Sequence, residues 1–329
     1  MVLTPQDIGL ILTYQCNSAC KHCLYNCGPR WEREPISKED LSAALDAVAS
    51  WPQPPQVHFT GGEPFIHFDL LLYGVQEAVS RGIACYVETS ASWCVNEKET
   101  VDCFRLLREA GLQAVLISCS PFHAEMIPPV RTLRAIRAVM EVFEGRGLII
   151  YQAEYLNLIQ RHDVDRPMPL SHYEQEFGRE EAGRILWQGY GIISGGRSGY
   201  ALGHLVPSYP ADAFARATCA SEILNAPHSH FDLYGNYISG FCGGLSIGSW
   251  RDLPQVISDF RSGRYPALID TLITEGPYGL CTYAMESFDY EPRPAGYAGK
   301  CHLCVDVRRH LVNQGEFPEL EPRGFYEHI

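Results

Sequence analysis

Short apolar, β-prone runs alternate with amphipathic stretches over the first two-thirds of the chain, and this alternation leaves few folds open. The runs are DIGLILTY (7–14), QVHFT (56–60), ACYVETS (84–90), QAVLISCS (113–120), LIIYQAEY (148–155) and GYGIISGG (189–196). Between them apolar residues recur at three- and four-residue spacing, the signature of helices with one buried face. ISKEDLSAALDAVAS opens with Ser37 and Asp40, a capping pattern, and LLLYGVQEAVSRG closes at Gly82, a helix stop. Six β–α units in succession predict a parallel sheet with right-handed crossovers. The unusual residues follow the strands: Cys16–Cys27 after the first, GGEP (61–64) after the second, ETSAS (88–92) at the end of the third, SCSPFH (118–123) at the end of the fourth, and GGRS (195–198) at the end of the sixth. Polar and special residues at the carboxyl ends of successive strands mark the functional rim of a β/α barrel. The expected fold is therefore α/β, a partial (β/α)6 TIM-type barrel over residues 1–200.

After residue 200 the pattern changes. Pro and Gly become frequent, and HSHFDLYGNYISGFCGG reads as two short strands joined at Tyr234–Gly235–Asn236. Cysteines return at 219, 242, 281, 301 and 304. A second, smaller unit over 201–329, held together in part by metal, is expected.

Composition narrows the class. The chain has 329 residues, 46% apolar and 20% charged, enough for a large domain and a smaller one. No apolar run approaches the ~18 residues of a membrane span. The start, MVLTPQDIGLILTY, has no basic segment ahead of an apolar core, so a cytoplasmic location and no membrane partner are expected. A net charge of −13 argues against nucleic acid as a partner. Thirteen cysteines in such a chain favour metal or redox chemistry over a disulfide framework. Cys85 and Cys103 sit in regular apolar patterns and read as small core residues.

The clustered cysteines need another explanation. CNSACKHCLYNCGP places Cys16, Cys20 and Cys23 at C-x3-C-x2-C spacing on a loop after the first strand. Three thiolates there suit zinc, with His22 or Cys27 as a fourth ligand, or three corners of a 4Fe–4S cluster whose fourth iron stays open. Spacing alone leaves both open. Gly61 and Gly62 remove side chains where the backbone must approach a ligand closely.

CNSACKHC followed by TGGEPFIH resembles the radical S-adenosylmethionine (SAM) superfamily, and the resemblance spans roughly residues 7–200. It implies a 4Fe–4S cluster on Cys16, Cys20 and Cys23, with the amino and carboxylate groups of SAM on the open iron. Gly61, Gly62, Glu63 and Pro64 would then meet the methionine end, with Glu63 as countercharge to the ammonium. Ser90 or Glu88 would meet the ribose, and Arg197 the carboxylate, for which its planar fork of donors is suited. His22 stands where the family usually has an aromatic residue, and its ring is expected against the adenine. Cys27 is left out of the cluster, because a fourth thiolate would close the open iron. An electron donor such as flavodoxin or ferredoxin is implied, as is a 5′-deoxyadenosyl radical that takes a hydrogen atom from the substrate.

Cys219, Cys242, Cys301 and Cys304, the last two as C-x2-C, resemble the SPASM and twitch extensions of that superfamily. One auxiliary 4Fe–4S cluster is the implied count, with a structural zinc as the alternative. Among subfamilies the nearest resemblance is to the peptide epimerases, which share the C-x3-C-x-H-C-x3-C-x-P opening, Ile117–Ser118 with His123–Ala124, and a closing C-x2-C. In those enzymes a cysteine after a cluster ligand returns the hydrogen. Gly243 occupies that place here, which leaves Cys27, Cys119 and Cys281 as catalytic candidates. A ribosomally made peptide is the expected substrate, and a small molecule or a cofactor-biosynthesis intermediate is the second choice. The non-enzyme alternatives are a metal-stabilised scaffold and an iron–sulfur electron carrier. No extra domain precedes Cys16, so no leader-binding module is expected there.

Overall fold

Strand β1 (Asp7–Ile11) is buried along its whole length, as expected of a strand covered on both faces. In the computed structural model, which describes residues 3–329, it starts one of two units, formed by Gln6–Cys20 and Cys27–Gly178. Helix α1 (Lys38–Ala49) follows, capped as the sequence predicts by Ser37, whose side chain accepts from the Asp40 amide. Then come β2 (Gln56–Thr60), α2 (Phe68–Ser80), β3 (Cys85–Thr89), α3 (Glu97–Glu109), β4 (Ala114–Ser118), α4 (Pro129–Val142) and β5 (Leu148–Tyr151). Each strand pairs in parallel with the next: Ile8 opposite Val57, His58 opposite Tyr86, Val87 opposite Val115 and Ile117 opposite Ile150. Strands in sequence order, each joined to the next through a helix, make an α/β partial barrel. Leu41, Leu45 and Val48 of α1, and Leu71, Val75 and Ala78 of α2, are buried at helical spacing. Burying each such aliphatic chain is worth roughly 1.5–3 kcal/mol.

The strand expected at 189–196 does not form, and among the described residues β1 to β5 are the strands that follow one another in parallel. Arg184–Gly189 winds as a wide helical turn, and the Ile192 amide donates back to the Trp187 carbonyl at 3.0 Å. Gly191 (φ 72°) and Gly196 (φ 54°) take left-handed conformations that a strand does not accommodate. The strand read at 148–155 likewise stops at Tyr151, and a helix starts at Glu154.

The other unit comprises Lys21–Asn26 and Arg179–Ile329, with the described start of the chain through Pro5. Here β6 (His228–Asp232) and β7 (Tyr237–Ser239) form the antiparallel pair read from the sequence, with Phe231 opposite Tyr237. Gly235 turns the hairpin at φ 101°, and the Asp232 carboxylate accepts from the Tyr234 and Asn236 amides at 3.0 and 2.8 Å. Helix α5 (Lys300–Leu311) buries Leu303, Val307 and Leu311 and carries Cys301 and Cys304.

Candidate metal centres and cofactor site

The opening cysteine loop begins where β1 runs out. The Cys16 amide donates to the Gly28 carbonyl at 3.1 Å and the Gly28 amide to Tyr14 at 3.2 Å, which pins the neck of the loop. Cys16, Cys20 and Cys27 are buried, Cys23 is half-buried, and none of the thirteen cysteines forms a disulfide among the described residues. Cys27 lies at that neck, next to Gly28, and the Ser18 amide points at the Cys16 sulfur at 3.4 Å.

The GGEP segment supports the same loop. The Gly62 amide donates to Thr13 O at 2.8 Å and the Glu63 amide to Gln15 O at 3.0 Å. A Cβ on Gly61 would stand 2.2 Å from Thr13 O, and one on Gly62 1.9 Å from Gln15 O and 2.9 Å from the Cys16 nitrogen. The two glycines are thus required by the approach of one backbone to another beside a predicted cluster ligand. Glu63 is fully buried. Its carboxylate accepts from Thr89 Oγ1 at 2.9 Å and from the Ser90 amide and hydroxyl at 3.0 and 2.5 Å. Burial pushes its pKa up, and the bonds from Ser90, Thr89 and Phe65 oppose that only in part. The carboxylate therefore ties GGEP to the end of β3, and the Ser90 hydroxyl expected at the ribose is engaged with it. Pro64 begins the helical turn after Glu63, in the position where a missing N–H costs nothing.

Glu88 accepts from Thr60 Oγ1 at 3.0 Å, and its carboxylate stands 3.8 Å from His58 Nε2. His58 is fully buried and hydrogen-bonds through Nδ1 to Asp7, which also accepts from Tyr86 Oη at 3.1 Å. Burial alone would lower the pKa of this imidazole; the Glu88 and Asp7 carboxylates outweigh it and hold the group above its ordinary value. Sequence reasoning missed this buried polar group. Its signal was a charged or titratable residue inside each of three apolar runs. Cys119, at the end of β4, packs with Ala124 and Ile159, and burial pushes its thiol up to about 12. His123 receives a hydrogen bond at Nδ1 from Ser120 Oγ or donates one to it, at 2.8 Å, and burial lowers its pKa to about 4.

In the second unit GGRS packs on the later half of the cysteine loop. The Arg197 amide donates to the Cys23 carbonyl at 3.1 Å, and a Cβ on Gly196 would stand 2.3 Å from that oxygen. His22 meets Tyr190 edge-on, with ring centroids 5.3 Å apart. Gly243 lies against the Leu24 carbonyl, and Gly195 lies near both Leu24 and Cys301.

That second set is gathered from three separate stretches: Cys219 before a short helix, Cys242 after β7, and Cys301 with Cys304 on α5. Burial, then the charge of Cys301 and Cys304, pushes the Cys242 thiol up to about 12. Burial, then Cys304 and Cys219, does the same to Cys301, and Cys219 is raised by burial and by Cys304 and Cys242. Every pair among the four therefore interacts. Such a set becomes thiolate only when a cation takes up the charge, which is the chemistry of a metal site. Two cations flank it. Lys300 Nζ donates to Glu222 at 2.5 Å and to Thr218 O at 2.9 Å; Arg308 is buried one helical turn beyond Cys304. Cys281 stands apart on its own helix, buried, 3.9 Å from the Met285 sulfur, with its thiol pushed up to about 11 by burial.

Comparison with known proteins agrees with the loop. Residues 10–145 match the Radical SAM superfamily. The PqqA peptide cyclases of two Xanthomonas campestris pv. campestris strains, B100 and 8004, are each 28% identical over 195 residues. That stretch is 57% of this chain, which spans about half the length of these curated relatives (49%). Among solved structures, BtrN in complex with AdoMet and 2-DOIA covers 84% of the chain and 90% of its own length at 15% identity and TM-score 0.46. Native anSMEcpe with bound AdoMet and Cp18Cys peptide covers 99% and 95% at 11% identity and TM-score 0.49. Among the described residues no helix is long and apolar enough to cross a membrane. The cysteine loop after the first strand and the GGEP segment both lie inside the stretch, residues 10–145, that is similar to the Radical SAM superfamily.

Proposed function

We propose that this chain is a radical SAM enzyme that modifies a ribosomally made peptide, with a 4Fe–4S cluster on Cys16, Cys20 and Cys23 and an auxiliary 4Fe–4S cluster on Cys219, Cys242, Cys301 and Cys304. The observation that carries the first assignment is the anchoring of the cysteine loop. Gly62 and Glu63 hold Thr13 and Gln15 by backbone bonds, and the Arg197 amide holds the Cys23 carbonyl, so the backbone on either side of the three thiols is fixed. When bound, the cluster and SAM supply one-electron reductive cleavage and a 5′-deoxyadenosyl radical that takes a hydrogen atom from the substrate. The chain's own part is to fix and shield. Glu63 locks the GGEP backbone to Thr89 and Ser90, so SAM would meet a pre-formed carbonyl edge beside Pro64. His22 presents a ring edge held by Tyr190. Arg197 and Glu88 are the groups we assign to the carboxylate and ribose.

The four-cysteine set fits an auxiliary cluster by its donors, four mutually interacting thiols with two cations beside them. The functional boundary between core and extension then falls near residue 200. A peptide substrate is supported by the likeness to PqqA peptide cyclases and by the opening and closing cysteine patterns shared with peptide-modifying members. A reducing cytoplasmic setting, with a flavodoxin or ferredoxin as donor, suits thirteen cysteines without a disulfide.

The test is anaerobic reconstitution with iron and sulfide, then dithionite and SAM, with 5′-deoxyadenosine as the first readout. The second readout is the mass and deuterium uptake of peptides encoded beside the gene. 5′-Deoxyadenosine with a changed peptide supports the proposal. A changed small molecule beside untouched peptides would overturn the substrate class.

A further inference from the structure

Arg308 is 3% exposed, and its charge is not matched by any carboxylate among the described residues. Nη1 donates to the Gly243 carbonyl at 3.1 Å and lies 3.0 Å from Tyr326 Oη, while Nε is buried without a hydrogen-bond partner. The aromatic rings of Phe325 and Tyr326 cover it at 5.9 and 5.7 Å. Its remaining neighbours are Cys304 and Cys242. Cys304 lies one turn earlier on α5, and Cys242 immediately precedes the glycine that Arg308 binds. Lys300, at the other end of the cysteine pair, differs: Glu222 already matches its charge. A buried guanidinium is stable only beside an anion. Beside the Tyr326 hydroxyl, the groups around it among the described residues that can carry negative charge are Cys304 and Cys242 of the four-cysteine site.

We propose that Arg308 is the buried counter-cation of the four-cysteine site. It thereby makes the site selective for a ligand that leaves the thiolates net negative, and raises the reduction potential of the cluster bound there. This rests on the auxiliary-cluster reading above. Four thiolates around a 4Fe–4S core carry net negative charge, and one-electron reduction adds another. A fixed positive charge at the cysteines stabilises the reduced form more than the oxidised one, and the burial of Arg308 limits screening of the interaction. Arginine suits the role because it stays charged when buried and its planar fork can bind a carbonyl while facing sulfur.

The experiment uses the full chain with Cys16, Cys20 and Cys23 replaced by Ala, so that the C-terminal cluster alone is read. After reconstitution, iron and sulfide are counted and the cluster is titrated potentiometrically by electron paramagnetic resonance. Arg308→Gln is expected to lower the reduced-to-oxidised ratio at the parent midpoint about tenfold, a shift of about 59 mV to more negative potential for one electron. Arg308→Lys should stay close to the parent. A Gln variant with its full iron and an unmoved midpoint overturns the role of Arg308 and leaves the auxiliary cluster standing. If the Gln variant holds no iron while the Lys variant does, the charge requirement is upheld. Loss of iron in both, with unchanged circular dichroism, makes the residue a matter of shape and overturns the proposal. A parent chain that takes up zinc and no iron at this site overturns both readings together.

Discussion

On the proposed assignment, the two cysteine sets hold their metal by opposite routes. The first sits within eight residues of sequence, on a single loop whose backbone is fastened at its neck and by the glycine segments. The second draws on residues 219, 242, 301 and 304, which only the folded chain brings together, in a buried spot with two cations. A local loop keeps its thiols close even when its surroundings loosen, and it can leave one metal position open. A site assembled from distant segments ties those segments to one another, and its metal contributes to folding. The comparison suggests chemistry for the first and bracing or electron storage for the second.

The largest expected effect tests the local loop. Cys20→Ala should reduce 5′-deoxyadenosine formation to background while iron at the C-terminal set remains; retained cleavage would sink the loop assignment. Next comes the dispersed set: Cys301→Ala should remove about half of the iron, one four-iron cluster of two. It should also lower the urea midpoint, because that set links three segments, whereas Cys20→Ala should barely move it. Equal loss of stability in the two variants would erase the distinction.

The glycines offer a finer probe. Gly62→Ala puts a methyl 1.9 Å from Gln15 O, and Gly196→Ala puts one 2.3 Å from Cys23 O at φ 54°. Each should cost ~1–3 kcal/mol in denaturant unfolding and lower SAM cleavage further than stability alone explains. The smallest effect lies at the rim, with His123. Its pKa is lowered to about 4, so the neutral ring is favoured in the folded chain. The stability it contributes is present above about pH 6.5 and is lost as pH falls, with a slope toward ~1.4 kcal/mol per pH unit. His123→Gln should flatten that slope between pH ~6.5 and ~5. An unchanged slope in urea titrations would show that His123 titrates normally.

Much of this was legible in the chain. β2 spans the residues that the sequence predicts, and β1, β3 and β4 end within a few residues of them, because burial on both faces of β1 and β2 and on alternate residues of β3 and β4 leaves apolar residues at strand spacing. The Ser37 cap and the Asp232–Asn236 hairpin turn depend on neighbours a few residues apart, so local sequence carries them. GYGIISGG predicts a sixth strand through its isoleucines, while Gly191 and Gly196 take left-handed conformations and Gly196 lies against the Cys23 carbonyl. Nothing in local composition shows that difference. Glu63 shows the same limit: the sequence marks it as special, but its carboxylate is spent on Thr89 and Ser90.

What the sequence by itself determined is the α/β alternation and the three-thiol loop, since both depend on spacing along the chain. Tertiary structure decided the rest: that five strands pair in parallel, that Asp7, His58 and Glu88 meet inside the sheet layer, and that Arg308 lies buried beside Cys304 and Cys242 without a carboxylate. The physical reason is range. Hydrophobic period and ligand spacing act between residues close in sequence, whereas desolvation and buried charge depend on which distant segments exclude water together.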